Sequence, residues 1–533
     1  MIPAGYGFGG RRAFLLPAIL SACILAAAPV RSALGDTSRY LPLDHPLYAY
    51  LDRLQERGRL LKLNPALRPY TRAQVLGALK SQDSSLLKPF EREWLDYVRT
   101  QCELESEALP SGADSSRMAV ITRAEAAGEI RNLRPGRGRS QAGVGFGGRF
   151  GGLVFDSRFL RAPHLLRLQD TTAHRDPSVL PPLEEGLIRP MEGYLKGDFT
   201  LPGGACSSEI FFGRLARNWS PGLEHSLILG SDALSFDQLA ICLRSSHLVF
   251  THLVATLDNM RYVTPPDTRI IRARRFFSAH RLDIRVRDWL RFGITETAVY
   301  GGENRGFEPA LMNPFTSFRL TAIQNKNDWN NNSFISLDGY YNIRERAALY
   351  GQFLFDDFLR DKNIQDRWAL DAGFNLRDLP FPDRCTMGLR ATVVSSFAYN
   401  TFQPYERYLF NGRPLGAPLG DDYWKLQGFC RYFLSGGLDL TGHLSRVEQG
   451  SRRIAAPSAP LLNSAGLAFP VPTVERSTEA GLALRWQVSP QAHLEIEGGW
   501  LKTANLNNRP GVNRNRGYVS LILSLYHDTV VRF

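Results

Sequence analysis

Hydrophobic positions along the chain follow two periods, helical in an N-terminal stretch and strand-like over the rest. From Pro46 to about Glu107, Leu47, Tyr50, Leu51 and Leu54 recur at helical spacing, and Gly58 supplies a C′ residue that ends the helix. Thr71 starts a second helix: its hydroxyl can cap the backbone, Gln74 stands as its capping-box partner, and Val75, Leu76 and Leu79 share one face. A third helix carries Leu87, Phe90, Trp94, Leu95 and Val98. Short amphipathic helices separated by Pro65, Pro69 and Pro89 predict a compact bundle suited to docking or plugging rather than to catalysis. Leu109-Pro110-Ser111-Gly112 reads as the linker after it.

Beyond Arg117 the period is two. Trp368, Leu370, Ala372, Phe374 and Leu376 alternate with Ala369, Asp371, Gly373 and Asn375. Leu482, Leu484, Trp486 and Val488 alternate with Ala483, Arg485 and Gln487, and Leu494, Ile496 and Trp500 with Glu495, Glu497 and Gly499. Leu438, Leu440 and Leu444 face away from Asp439, Thr441, His443 and Ser445, as Leu282, Ile284 and Val286 do from Asp283, Arg285 and Arg287. Soluble sandwiches alternate too, so the second face decides. Here it is rich in charged and amide groups over segments of roughly nine to eleven residues, the length of a tilted strand crossing a bilayer. Trp368, Trp486, Trp500 and Tyr518, near strand ends, fit interfacial aromatic girdles. The last strand places Val519, Leu521, Leu523 and Leu525 on one face and ends at Phe533, a terminal aromatic of the kind barrel-assembly machinery reads, although His527, Thr529 and Val531 make the rest of that signal partial.

Arg117 to Phe533 spans 417 residues. At one strand with its connection per roughly 20 to 26 residues, this predicts an all-β transmembrane barrel of about 16–20 antiparallel strands, with about 18 as the central value. Composition agrees: hydrophobic residues make up 44% and mean hydropathy is -0.22, and after the first 35 residues no uncharged apolar run approaches the roughly 20 residues of a spanning helix. At 533 residues the chain exceeds one ordinary soluble domain. At the N-terminus Arg11 and Arg12 lead into the apolar stretch Ala13 to Val30, and the small-residue site Ala33-Leu34-Gly35 precedes Asp36, which reads as a signal peptide. A rival is the lipobox-like Leu20-Ser21-Ala22-Cys23, with Cys23 lipidated; the apolar run continuing from Ile24 to Val30 favours cleavage near Gly35. The expected organisation is a signal peptide over 1–35, a helical periplasmic domain over 36–112 and an outer-membrane barrel over 113–533.

Without Arg11, Arg12 and Arg31, Lys and Arg number 61 against 52 Asp and Glu, a net charge of +9. For an exported protein that excess points to anionic partners such as lipopolysaccharide or acidic polysaccharide, not nucleic acid, or to a general solvated surface. Cys102, Cys206, Cys242, Cys385 and Cys430 form an odd, scattered set that argues against a disulfide framework and lacks C-x-x-C metal spacing.

The middle of the chain carries several distinctive segments rich in glycine and aromatic residues. They are Phe212-Gly213-Arg214, Trp219-Ser220-Pro221-Gly222 and Ser226-Leu227-Ile228-Leu229-Gly230-Ser231-Asp232. Further on come Phe292-Gly293-Ile294-Thr295-Glu296, Tyr300-Gly301-Gly302, Asn313-Pro314-Phe315, and the run Leu349-Tyr350-Gly351-Gln352-Phe353-Leu354-Phe355-Asp356-Asp357-Phe358. In their order and spacing these segments resemble the capsule-assembly Wzi family of outer-membrane barrels, although Ser220 stands where that family usually has glycine, Gly230 is an extra residue, and the C-terminal third matches only as generic barrel. The resemblance implies a lectin-like barrel that holds or helps assemble extracellular polysaccharide, with its helical bundle on the periplasmic side.

Asp356-Asp357 could suggest a glycosidase carboxylate pair, but adjacent strand residues point to opposite faces, so a strand-end or Ca²⁺-type turn is favoured. Glu224-His225 is a loop pair of the kind that is more often solvated than catalytic. No G-x-S-x-G, H-E-x-x-H or P-loop occurs, so no enzyme, metal or cofactor is expected. Arg269, Arg272, Arg274 and Arg275 precede Arg281, Arg285, Arg287 and Arg291 on or near one strand pair. Guanidinium groups bind carboxylates bidentately, which suits uronic or pyruvylated sugars; a lipopolysaccharide-facing or lumen-lining charge belt is the equal alternative. Asn327, Trp329 and Asn331 sit in an amide-rich run from Asn325 to Asn332 that suits sugar binding or simply a long hairpin loop. The expectation is a monomeric, non-enzymatic barrel binding anionic capsule or exopolysaccharide among outer-membrane lipid. A porin for small anionic solutes is the first alternative, and an outer-membrane hydrolase the second.

Overall fold

A computed structural model describes residues 38–532 except 84, 86, 107–118, 132–138, 151, 162–178, 181–188, 201–205, 223–224, 231–233, 264–268, 321–330, 344–345, 358–364, 380–383 and 456–466. The signal-peptide segment, Cys23, the 109–112 linker, Glu224, Asn327, Trp329 and Phe533 lie outside the described residues.

Helices α1 (Leu47–Glu56), α2 (Arg72–Lys80) and α3 (Pro89–Ser106) form where the helical period predicts them. Thr71 Oγ1 accepts from the Gln74 amide at 3.2 Å while Gln74 Oε1 accepts from the Thr71 amide at 3.0 Å, closing the capping box. Gly58 takes φ +74°, a left-handed turn that a Cβ would strain. Leu51, Leu54, Val75, Trp94 and Val98 bury together as the bundle's core.

The β-region starts with β1 (Ala119–Arg131), β2 (Arg139–Phe150), β3 (Leu153–Arg161), β4 (Arg189–Thr200), β5 (Ser207–Leu215) and β6 (Phe236–Arg244). It continues through β7 (Leu248–Thr256), β8 (Ile270–Arg287), β9 (Leu290–Glu303), β10 (Asn332–Ile343), β11 (Ala347–Asp357) and β12 (Arg367–Arg377). The last strands are β13 (Cys385–Val394), β14 (Tyr423–Ser435), β15 (Leu438–Gln449), β16 (Glu475–Ser489), β17 (Ala492–Ala504) and β18 (Arg514–Arg532). Each pairs antiparallel with the next, and β18 returns to β1 from Ala119↔Arg532 to Arg131↔Ser520, closing an 18-strand barrel. The short segments Val179–Leu180 and Met260–Val263 extend the ladder beside the start of β8.

The wall is apolar outside and polar inside. Leu444, Leu482, Trp486 and Ile496 are 58%, 56%, 48% and 41% exposed, while the alternating Asp371, Asp439 and Thr441 are buried in the lumen. A soluble barrel would bury the first set; this inversion is that of a barrel whose solvent is lipid. Lumen charges are matched: Arg281 bonds Asp283 and Asp338, and Arg390 holds Asp371 bidentately at 2.7 and 2.8 Å. Tyr518 departs from the girdle expectation. It shares the inward face opposite the exposed Val519, and its hydroxyl lies 2.8 and 2.9 Å from the carboxylates of Glu479 and Glu497, with one proton to donate between them. Among the described residues no helix is long and apolar enough to cross a membrane.

The two ends differ. Turns such as 245–247, 288–289, 436–437 and 490–491 are short, whereas 216–235, 304–331, 395–422 and 450–474 at the opposite end are long.

Candidate functional site

What the barrel can do depends on its lumen, into which described segments pack from both ends. At the short-turn end the helical bundle docks on the turns. Trp94 Nε1 donates to the Gly436 carbonyl at 2.6 Å and the Tyr97 hydroxyl to that of Pro490 at 2.9 Å. Arg57 reaches Asp378 at 3.0 Å, Arg431 reaches Glu56 at 2.7 Å, Arg53 pairs with Asp439, and Phe90 stacks on Phe433. Segments beside the helices enter the lumen: Arg39 bonds Asp156 at 2.9 Å, Tyr40 bonds Glu209, and Asn64 bonds Asp283 at 2.9 Å.

From the other end, the described residues of loops 216–230 and 395–422 fold inward and zip together. Tyr399 and Tyr408 donate their hydroxyls to the carbonyls of Leu227 and Ile228 at 2.8 and 3.0 Å, and Gly230 donates its amide to Leu415 at 2.8 Å. Trp219, Leu227, Ile228, Leu229, Tyr399 and Tyr408 share one buried apolar core with wall residues Phe236, Phe277 and Phe334. The family-like motifs build this closure. Gln352 of the Leu349–Phe358 run accepts from the Leu227 amide at 2.7 Å and donates to the Trp219 carbonyl at 3.3 Å. Asp356 of the same run accepts from the Tyr399 amide at 2.8 Å, a strand-end role. Gly222 leaves room for the Tyr350 ring, which a Cβ would meet at 2.5 Å.

The face presented at the long-loop end is therefore a lid with a rim. The buried Tyr262 and the half-buried Tyr405 lie with ring centroids 5.6 Å apart, and Phe402 nearby in sequence is 58% exposed. Arg305 lies 3.7 Å from the Glu406 carboxylate, and Arg269 pairs with Glu303. Burial pushes Glu406 up to about 8 against the pull of Arg305, and burial together with neighbouring Asp422 pushes Asp421 up to about 7. Burial also pushes the Tyr405 hydroxyl up to about 12. Of these rings, Tyr405 and Phe402 are the ones with surface that could stack on the apolar face of a sugar, while a guanidinium holds a carboxylate.

The structure divides the sequence-predicted arginines. Arg275 is buried, and its guanidinium donates to the carbonyls of Tyr405, Arg407 and Leu409 at 2.8, 2.6 and 2.8 Å and to Asp258 at 2.8 Å. It clamps the inward loop to the wall with four of its five N–H donors, a positioning role at a residue expected to hold ligand. Arg272 and Arg274 alternate with the inward-facing Ala273 and Arg275 and so stand on the exposed outer wall near the long-loop rim. Arg285 and Arg287 lie at the other end of β8, about 40 Å or more from Arg272 at the usual strand rise. One ligand group therefore cannot span the set. Asn331 is described and half-buried at the foot of β10.

Sequence reasoning missed Tyr262 and Tyr405, and gave no loop-holding role to Gln352 or to Asn332, whose amide donates to the carbonyls of Tyr399 and Glu406 at 2.9 and 3.1 Å. Inward polar residues at regular strand positions were the available signal, without a partner to give them meaning. Cys385 and Cys430, scattered in sequence, lie on neighbouring strands with Sγ atoms 3.4 Å apart. Among the described residues no cluster of His, Cys, Asp and Glu could hold a metal ion.

The family model described as capsule assembly protein Wzi matches residues 153–517. Among solved structures, Wzi from Escherichia coli, described as an outer membrane protein involved in group 1 capsule assembly and a carbohydrate-binding β-barrel, aligns at TM-score 0.58 and 13% identity over 91% of this chain and 99% of its own. The Pseudomonas aeruginosa outer membrane proteins OprD and OpdK align at TM-score 0.41 and 12% identity, over 78% and 77% of this chain and 94% and 99% of theirs. No curated protein sequence matches.

Proposed function

The chain belongs to the capsule assembly Wzi family, and from that membership we propose that it is a polysaccharide-binding outer-membrane barrel that retains capsule or exopolysaccharide at the cell surface and assists its assembly. The observation that carries the reading is the filled lumen. Loops 216–230 and 395–422 form one apolar core with the wall, and the helical bundle covers the other end. A barrel so closed is suited to presenting a surface, not to passing solute. The short turns face the periplasm in this proposal, as is usual for outer-membrane barrels, which puts the helical domain there and the Tyr262–Tyr405 rim outside. The partners are then an anionic polysaccharide at the rim, lipopolysaccharide and lipid around the wall, and the barrel-assembly machinery during insertion. The role is binding, without catalysis, by a monomer.

The test combines cells and purified protein. Cells lacking the protein should shed polysaccharide into the medium, and purified heat-modifiable protein should pass little current across a planar bilayer. Porin-like conductance with unchanged polysaccharide retention would replace this reading with the channel.

A further inference from the structure

A cavity of about 410 Å³ lies between the helical bundle, the wall and the back of the inward loops, within the size range of small-molecule sites. It runs from Ser245 and Ser246, in the short turn between β6 and β7, inward to Trp219. Its lining is strongly basic, with Lys62, Arg68, Arg217, Arg244, Arg285 and Arg291 against only Glu209 and Asp283. Both carboxylates are already engaged. Asp283 takes Arg281 at 2.7 Å and Asn64 at 2.9 Å, and Glu209 takes Lys196 at 3.4 Å and Arg244 at 3.2 Å.

Two further observations point to an anion as the ligand. The register of β8 and β9 sets Arg285 directly opposite Arg291; Asp288 pairs Arg285 from the turn at 3.4 Å, while Arg291 donates to the Leu61 carbonyl and has no carboxylate partner among the described residues. Arg291 and Arg217 are 6% and 8% exposed, yet Arg291 Nε and one Arg217 terminal nitrogen have no hydrogen-bond partner. A buried guanidinium donor without an acceptor is costly, and an oxyanion satisfies several such donors at once.

We propose that this cavity is an oxyanion-binding site, entered from the short-turn rim, in which Arg285 and Arg291 hold the carboxylate or phosphate of a sugar-sized ligand and Arg217 supplies a further donor. The site is separate from the long-loop rim, and the inference does not rest on polysaccharide retention there. It gives the periplasm-facing end a recognition function of its own, for an acidic or phosphorylated saccharide unit rather than for the polymer as a whole.

Calorimetric titration of the full-length protein in detergent at low salt tests it, with D-glucuronate, inorganic phosphate and D-glucose as probes. Glucuronate or phosphate should bind and glucose should not; glucuronate alone identifies a sugar carboxylate, phosphate alone a phosphorylated ligand. Arg285→Gln with Arg291→Gln should weaken binding about tenfold or more while heat-modifiability persists, and the Lys pair should restore part of it. If the Gln pair does not fold, Arg217→Gln with Lys62→Gln reads the same site from other elements. Glucose binding as tightly as glucuronate, no binding of either anion, or anion binding untouched by the substitutions would overturn the proposal.

Discussion

The two closures of this barrel are built from opposite materials. The helical bundle carries its own apolar core and meets the barrel largely through arginines, Arg53 to Asp439, Arg57 to Asp378 and Arg431 with Glu56. The loops at the other end have no core apart from the wall: Trp219, Tyr399 and Tyr408 are buried among Phe236, Phe277 and Phe334 of the strands themselves. The bundle is thus a folded unit docked by charge, whereas the loops complete the barrel's interior. Removing a loop side chain should damage the barrel, and removing a bundle contact should damage only the docking.

The largest effect should come from Trp219→Ala. Truncating a fully buried tryptophan costs about 3–5 kcal/mol, and here the loss falls on the core shared by loops and wall. The expected result is a lower heat-modification temperature together with measurable conductance. Unchanged stability and a silent bilayer recording would show that the loops are not integral to the interior.

Next is the charge interface. Asp439→Ala leaves the buried Arg53 without its carboxylate partner, and breaking a buried pair from one side costs about 3–5 kcal/mol. The bundle should become protease-sensitive while the barrel remains heat-modifiable. Pairing the change with Arg53→Met should recover most of the protection, because the penalty lies mainly in the stranded charge. Simultaneous loss of heat-modifiability would make bundle and barrel one cooperative unit.

A smaller effect separates the closures by pH. Glu406 and Asp421 sit in the loop closure and are held protonated by burial, up to about 8 and about 7. Their folded-state values lie above their ordinary ones of 4.5 and 3.8. The native state therefore binds more protons, and stability is fully present at low pH and is lost as pH rises through those windows, by at most about 1.4 kcal/mol per pH unit for each group. Amide exchange in 399–417 should accelerate toward about pH 8 relative to α2, and Glu406→Gln should flatten its share of that slope. Equal acceleration in α2 would point to global rather than local loosening.

What the sequence made legible follows from range. Helix α2 and its capping box are decided by residues three apart, and the faces of β15 to β17 by alternation, so both could be read directly. Strand number followed from length, since a bilayer sets the length of a strand. The loop closure was hidden, because Gln352 and Leu227 are 125 positions apart and Tyr399 and Leu227 are 172 apart, in segments with no period. Arg275 and Arg272 look alike in sequence; only the parity of the strand and the arrival of residues 405–409 assign one to the interior and the other to the outer wall. Tyr518 was misplaced for the related reason that a strand-end aromatic can serve either face.

The smallest predicted effect concerns those outer arginines and returns to the question of which surface meets the glycan. Register places Arg272 opposite Arg261, and Arg274 shares the outward face with Arg272, away from the Tyr262–Tyr405 rim interior. Like charges in cross-strand register are tolerated where mobile anions screen them, and in the orientation proposed above lipopolysaccharide phosphates would supply those anions. Exposed contacts of this kind are worth about 0 to 1 kcal/mol each. Changing Arg272 and Arg274 to Gln should therefore leave polysaccharide retention nearly intact and lower thermal stability only slightly, in membranes containing lipopolysaccharide and not in detergent. Adding Arg269→Gln, whose side chain is 66% exposed and paired with Glu303 beside the rim, should weaken retention further and make it more sensitive to salt. Polysaccharide released already by the Arg272 and Arg274 changes alone would move the glycan site from the aromatic rim to the outer wall.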